Sequence, residues 1–299
     1  MKALNGNGSV KRHEQAWTER ELGRVNRELE ETRAQLERAR EEIKLLKQEA
    51  AESTHDPYLL EVEGLTVSFD GFKALDDLSI YVNREELHAV IGPNGAGKST
   101  LLDAICGRTK PASGKILFKD HDLTRIKEYE IVRMGVGRKF QTPSIYEELT
   151  VLENLEASYP EKRNVMGSLL WKRNDEIMDK INNLAAVIFL EDQLYQMAGT
   201  LSHGQKQWLE IGMLLLQDHE LLLLDEPVAG MSPSEREKTA QLLKKICKGR
   251  SVIVIEHDMN FVEDIAHRVT VLHQGKWLSE GSMEHVKNDP KVIEVYVGH

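Results

Sequence analysis

The chain has 299 residues, 40% of them hydrophobic, and a formal net charge of −10. That length holds one large domain or two, and the acidic balance excludes a nucleic-acid wrapper, whose surface would be basic. Its two cysteines, Cys106 and Cys247, exclude a disulfide scaffold and fit a reducing compartment, while no apolar run approaches the ~20 residues of a membrane helix. Met1–Gln15 has no apolar core, so no secretory signal is expected there.

Residues 1–12, Gly/Asn-rich at first, read as disordered. From 13 to 56 Glu and Arg dominate, and a charged helix is expected. Leu22, Val25, Leu29, Thr32, Leu36, Ala39, Ile43, Leu46 and Ala50 recur at alternating steps of three and four, a heptad seam. With Leu22 at position a, a parallel dimer pairs Glu28 with Arg33, Gln35 with Arg40 and Glu42 with Lys47, and no like charges meet. A coiled coil and a single solvated helix both fit, because Thr32 and Ala39 make a weak seam. Pro57 ends the segment.

Alternation at Leu65, Val67 and Phe69, then at Leu78, Ile80 and Val82, predicts two strands joined by a hairpin turn at Asp70-Gly71. After the apolar strand Leu87–Ile91 the chain becomes α/β. Helices are expected at Ser99–Cys106, about Asp175–Phe189, Gly204–Leu216, Ser234–Cys247 and Asn260–Ala266. Strands are expected at Leu221–Leu224, Val252–Ile255 and Val269–Leu272, with a last hairpin turn at Gln274-Gly275. No internal repeat is present, so there is one cassette at 57–299.

Three stretches carry chemistry. Gly92-Pro93-Asn94-Gly95-Ala96-Gly97-Lys98-Ser99 follows a strand and opens a helix, the setting of a phosphate-binding loop. Backbone N–H groups and the positive helix end receive phosphate there, Lys98 adds a charge for the β- and γ-phosphates, and Ser99 offers a hydroxyl to Mg²⁺. Leu221–Leu224 ends in Asp225 and Glu226. A hard cation suits Asp225, through water, and Glu226 can orient or deprotonate an attacking water. Alone that pair would be an ordinary helix cap; the phosphate loop upstream gives it meaning. Leu201-Ser202-His203-Gly204-Gln205 precedes a helix, where a lone serine would be only an N-cap.

Taken in order, the phosphate loop, Gln141, Leu-Ser-x-Gly-Gln, the carboxylate strand and His257 after Val-Ile-Val-Ile-Glu resemble the ATPase subunits of ABC transporters, over about Tyr58–His299. The resemblance implies an α/β P-loop NTPase fold, the ABC ATPase fold. It carries an antiparallel β subdomain and a helical subdomain at about 142–215, preceded by the N-terminal helix. It implies ATP and Mg²⁺ as ligands. Phe69, with Phe72 as alternative, would stack on adenine, and Gly92–Ser99 with Thr100 would hold the phosphates. Ser99, Gln141 and Asp225 would face the metal. Glu226 would be the catalytic base and His257 the switch histidine, with Lys98 and Gln141 completing the catalytic set. Ser202, Gly204 and Gln205 would grip the γ-phosphate of ATP held by a second ATPase subunit, the same or homologous, in a head-to-tail dimer. Val228–Ser232 corresponds to the D-loop. Two departures stand out: His203 where most members have Gly, and Ser232 where many have Asp.

Gly137–Pro143, Leu201–Gly212 and Asp225–Met231 resemble the ATP-binding subunits of urea ABC importers, within the branched-chain amino acid importer group. That implies transmembrane permease subunits as partners, a periplasmic or extracellular solute-binding protein indirectly, and a peripheral place on the cytoplasmic face of the membrane. No nucleic-acid partner is expected. Two other classes are weighed. A soluble ABC-type ATPase with a mechanical role fits less well with one cassette and an N-terminal coil, and a non-hydrolysing adaptor conflicts with Glu226 and His257.

Overall fold

Asp70 and Gly71 both have left-handed backbone (φ 48° and 87°), the geometry of a tight hairpin turn whose twist matches its strands. They join β1 (Tyr58–Phe69) to β2 (Phe72–Asn83), with Phe69 opposite Phe72. The computed structural model describes residues 58–139, 144–159 and 175–297. The expected N-terminal disorder and helix, Gln141 with its neighbours Phe140, Thr142 and Pro143, and residues 160–174 lie outside the described residues.

β1 also pairs with β4 (Ser113–Phe118), and β5 (His121–Asp122) extends β4, giving an antiparallel sheet ordered β2-β1-β4-β5. The remaining strands form a second sheet. They are β3 (Leu87–Ile91), β6 (Val136–Lys139), β7 (Leu221–Asp225), β8 (Ser251–Ile255), β9 (Arg268–His273) and β10 (Lys276–Gly281), ordered β10-β9-β3-β8-β7-β6. All neighbours there are parallel except the edge pair β9–β10. Every residue of β3, β7 and β8 is buried, which is why these runs are almost wholly apolar, His88, Asp225 and Ser251 excepted: both faces of a parallel sheet are covered.

α1 (Lys98–Ile105) lies between the two sheets in a core built from Leu60, Val62, Leu101, Ile105, Leu221 and Leu223. On the other face, α3 (Val151–Ser158), α4 (Asp175–Val187), α5 (His203–Leu216) and α6 (Pro233–Ile246) share a second core with Leu222, Leu224 and Val254. α7 (Met259–Ile265), α8 (Met283–Asn288) and α9 (Pro290–Val297) cover β3 and β9. One short helix, α2 (Glu128–Met134), leads into β6.

Sequence sets the helix starts. Ser202 caps α5 and Ser232 caps α6, each in a capping box closed three residues on by Gln205 or Glu235, with Pro233 opening α6. The indole N–H of Trp208 donates to the Thr239 hydroxyl at 2.9 Å and pins α5 against α6.

Candidate nucleotide site

Ligands of parallel α/β sheets sit beyond the carboxyl ends of the strands, and here β3, β7 and β8 deliver the loop 92–97, Asp225-Glu226 and Glu256-His257 to one edge. Between β3 and α1 the backbone turns sharply. Gly97 has φ +97°, and a Cβ there would stand 2.5 Å from the Ala74 carbonyl; at Gly92 it would stand 2.2 Å from the Leu272 carbonyl. Only glycine fits either position. The last hairpin supports this loop: the Gly275 N–H donates to the Ala96 carbonyl at 3.0 Å, and the Gly275 carbonyl accepts from Asp76 N–H at 2.9 Å.

The Lys98 ammonium is buried and donates to the carbonyls of Gly92 and Pro93 at 2.8 and 2.9 Å. Burial draws its pKa down, against the charges of Glu226 and Asp225. Asp225 is buried below the loop, and burial raises its pKa despite Arg138, whose guanidinium stands 3.7 Å away, and a hydrogen bond with the Ser99 side chain. Arg138 also holds Asp103 of α1 at 2.6 Å, so it ties the helix after the loop to the strand that carries Asp225.

Glu226 has left-handed backbone (φ 47°), with its N–H donating to the Ile255 carbonyl at 2.9 Å. Its Oε1 lies 3.3 Å from His257 Nε2. For that contact to be a hydrogen bond to a carboxylate, Nε2 carries the proton. Glu256 is buried and acts as a staple: Oε1 accepts from Val228 N–H at 3.0 Å and Oε2 from His257 N–H at 3.1 Å. Burial raises its pKa, opposed by those amides.

A cleft brings several expected residues together. Its walls are Phe69, Phe72, Ala74, Asn94–Thr100, Glu226, Ile255 and His257. Both aromatics are well exposed there, so neither is singled out by burial. Gly92, Pro93 and Asp225 are not among its walls. Ser202, Gly204 and Gln205 are not among its walls; they stand at the start of α5, beside Glu235 of α6. Gln141 falls outside the described residues. Arg138 and Glu256 show no role in sequence, because the contacts to Asp103, Asp225 and Val228 join positions far apart in the chain. Glu235 left a signal only as the closing residue of a capping box.

The donors suit a triphosphate: glycine backbone, one buried ammonium and a hydroxyl beside a carboxylate. Among the described residues no group of three His, Cys, Asp or Glu side chains could hold a metal ion. The oxygens the described residues offer a hard cation here are the Ser99 hydroxyl and the Asp225 carboxylate, which hydrogen-bond to each other.

The chain matches the ABC transporter family over residues 75–229. It is 34% identical over 249 residues to the high-affinity branched-chain amino acid transport ATP-binding protein LivG of Escherichia coli (strain K12), covering 80% of this chain and 98% of that one. It is likewise 34% identical over 250 residues to the probable branched-chain amino acid transport ATP-binding protein LivG of Methanocaldococcus jannaschii, covering 80% and 97%. Among solved structures, a nucleotide-free ATP-binding cassette from an ABC transporter superposes with a TM-score of 0.71 at 32% identity, over 81% of this chain and all of that one. The ADP conformation of another such cassette gives 0.71 at 33%, over 81% and 99%. Phosphate loop, carboxylate strand, fold and relatives agree: the chain belongs to the ABC transporter family, as an ATP-binding subunit with ATPase activity.

Proposed function

We propose that the chain powers an importer of the branched-chain amino acid group, hydrolysing ATP on the cytoplasmic face of the membrane while separate permease subunits carry the solute. The observation that carries the reading is the cleft in which the phosphate loop, Glu226 and His257 meet. Phosphoryl transfer asks a protein mainly for positioning and charge neutralisation, and those residues supply both. Lys98 leaves its carbonyl partners for the β- and γ-phosphates. Glu226 orients the attacking water and accepts its proton, and His257 Nε2 donates toward the γ-phosphate. Ser99 and Asp225, with Gln141, would hold Mg²⁺, which when bound neutralises charge on the phosphate oxygens. Phe69 or Phe72 offers a face to adenine.

Ser202, Gly204 and Gln205 stand apart from this cleft, so in this reading they serve the ATP of a second subunit packed head to tail. Closure of the pair is the two-state element that ATP biases, through contacts present only in the closed form. Gln141 and the segment to Thr150 relay that closure to the permease.

Glu226→Gln keeps side-chain shape and loses the base. ATP binding by the variant stays at the wild-type level, and hydrolysis by the assembled transporter falls by about 10²–10⁴. Turnover near wild type overturns the assignment.

Urea is the cargo we infer within this group, from the likeness of residues 137–143, 201–212 and 225–231 to urea importer subunits. The relatives' names instead point to branched-chain amino acids. Deleting the chain from its native cell and measuring uptake of labelled urea and labelled leucine separates the two. Loss of urea uptake alone is expected; loss of leucine uptake alone rejects urea.

A further inference from the structure

Ser202 has one hydroxyl proton, and the structure shows where it goes. The oxygen accepts from Gln205 N–H at 3.2 Å as an N-cap, while the hydroxyl donates to Glu235 Oε1 at 2.9 Å. The other oxygen of the same carboxylate, Oε2, accepts from the Ser232 N–H at 2.9 Å and from the Ser232 hydroxyl at 2.7 Å. One side chain thus joins the N-caps of α5 and α6. It also presses on the α5 backbone: a Cβ at Gly204 would lie 2.5 Å from Glu235 Oε1. Gly204 has no left-handed backbone, so the contact it makes room for is the Glu235 side chain, which would have to swing aside for any larger residue. The Ser232 amide and hydroxyl, then Ser202 and His203, hold the Glu235 carboxyl below its ordinary pKa, so it is ionised at neutral pH.

A hydroxyl donates to one acceptor at a time. We propose that Glu235 is an internal competitor for the Ser202 proton: in the separate subunit its carboxylate takes the bond that a γ-phosphate takes in the closed pair. The inference rests on the cross-subunit reading of Ser202 given above and adds to it a residue that sets how much ATP closure requires. ATP brings further negative charge to the place where Glu235 sits, so closing the pair has both to break the Ser202–Glu235 bond and to bear the repulsion. Glu235 is a positioning residue in this scheme, acting on phosphate through Ser202. Because Trp208 and Thr239 clamp α5 to α6 independently, removing the charge at Glu235 leaves the two helices together.

Glu235→Gln tests this, since glutamine also closes a capping box but carries no charge. In the assembled transporter the ATP concentration for half-maximal hydrolysis is expected to fall by about threefold to tenfold, the size of one charge-assisted contact released. Glu235→Asp, which keeps the charge but is one methylene too short to keep the reach to Ser202, should lower half-saturation less than Glu235→Gln does. A fluorescent trinitrophenyl ATP probe reads the phosphate loop of the isolated full-length chain, and its affinity should be the same for wild type and Glu235→Gln. Half-saturation unchanged or raised in Glu235→Gln overturns the competition, and leaves Glu235 as a plain strut. The underlying reading has its own control: Ser202→Ala should slow hydrolysis and erase the gain from Glu235→Gln. Full activity in Ser202→Ala would overturn the phosphate-gripping role of Ser202 itself.

Discussion

Glu226 spends its whole existence in a backbone region that non-glycine residues avoid, at a cost on the order of 1–3 kcal/mol. What holds it there is β8: the Glu226 N–H reaches Ile255, and the next residue, Glu256, gathers the N–H groups of Val228 and His257. Glu256 thereby sets both the histidine facing Glu226 and the loop that follows it. Replacing Glu256 by Gln turns one acceptor into a donor facing an N–H, so one of the two backbone contacts is lost. Hydrolysis is expected to drop by roughly ten- to a hundredfold, in keeping with what a misplaced reacting group costs, with ATP affinity nearly unchanged. Measuring kcat and ATP binding separately checks it, and an equal loss in both would mean the phosphate loop itself had moved. The Val228 partner, 28 residues away, leaves no mark on the local sequence around Glu256, whereas Glu226 and His257 are expected site residues only through the ordered set of motifs, since either would be unremarkable alone after an apolar strand.

At the scale of elements, β3 and β9 are locked by a polar cluster as well as by their ladder. Glu86 is buried and accepts from Arg268 Nε at 2.7 Å and from the Asn83 N–H at 2.7 Å, with His88 Nδ1 at 3.2 Å. Burial alone would raise its pKa, but His88, Arg268 and the Asn83 amide outweigh it and bring it down to about 2. A carboxylate whose folded pKa lies below its unfolded value stabilises the fold above the unfolded pKa and loses that contribution as pH falls. Glu86→Gln should therefore cost about 3 kcal/mol at neutral pH. Denaturant melts should show the gap between variant and wild type closing from about pH 5 toward pH 2. A gap independent of pH would mean the loss is one of packing.

The same scale shows which elements could be read in advance. Both hairpin turns, at Asp70-Gly71 and Gln274-Gly275, and the five expected helices stand where the periodicity put them, within a residue or two at each end. β6 went unread because its four residues, Val136-Gly137-Arg138-Lys139, hold no apolar run. Three of them are buried by context, Arg138 only half: the His219 ring packs on Gly137, and Lys139 lies fully buried 3.8 Å from Glu210 of α5. β4, α2 and α3 are decided by long-range packing more than by local pattern.

On the scale of the whole molecule the open question is pairing. The heptad seam expected at residues 13–56 favours parallel self-association, whereas the cassettes of the proposed importer pair head to tail, with a homologous partner in the urea group. Sedimentation of the full chain and of a chain lacking residues 1–52 decides between the coil and a solitary helix. The full chain is expected to run as a dimer and the shortened one as a monomer; equal monomer masses reject self-pairing.

Gly275 has a further consequence for the backbone around the phosphate loop. Its two main-chain bonds knot the last hairpin to the phosphate loop on one side and to β2 on the other. Because both contacts are main chain to main chain, no side-chain replacement at Ala96 or Asp76 removes them, and the register of hairpin, loop and strand is written into the backbone path itself.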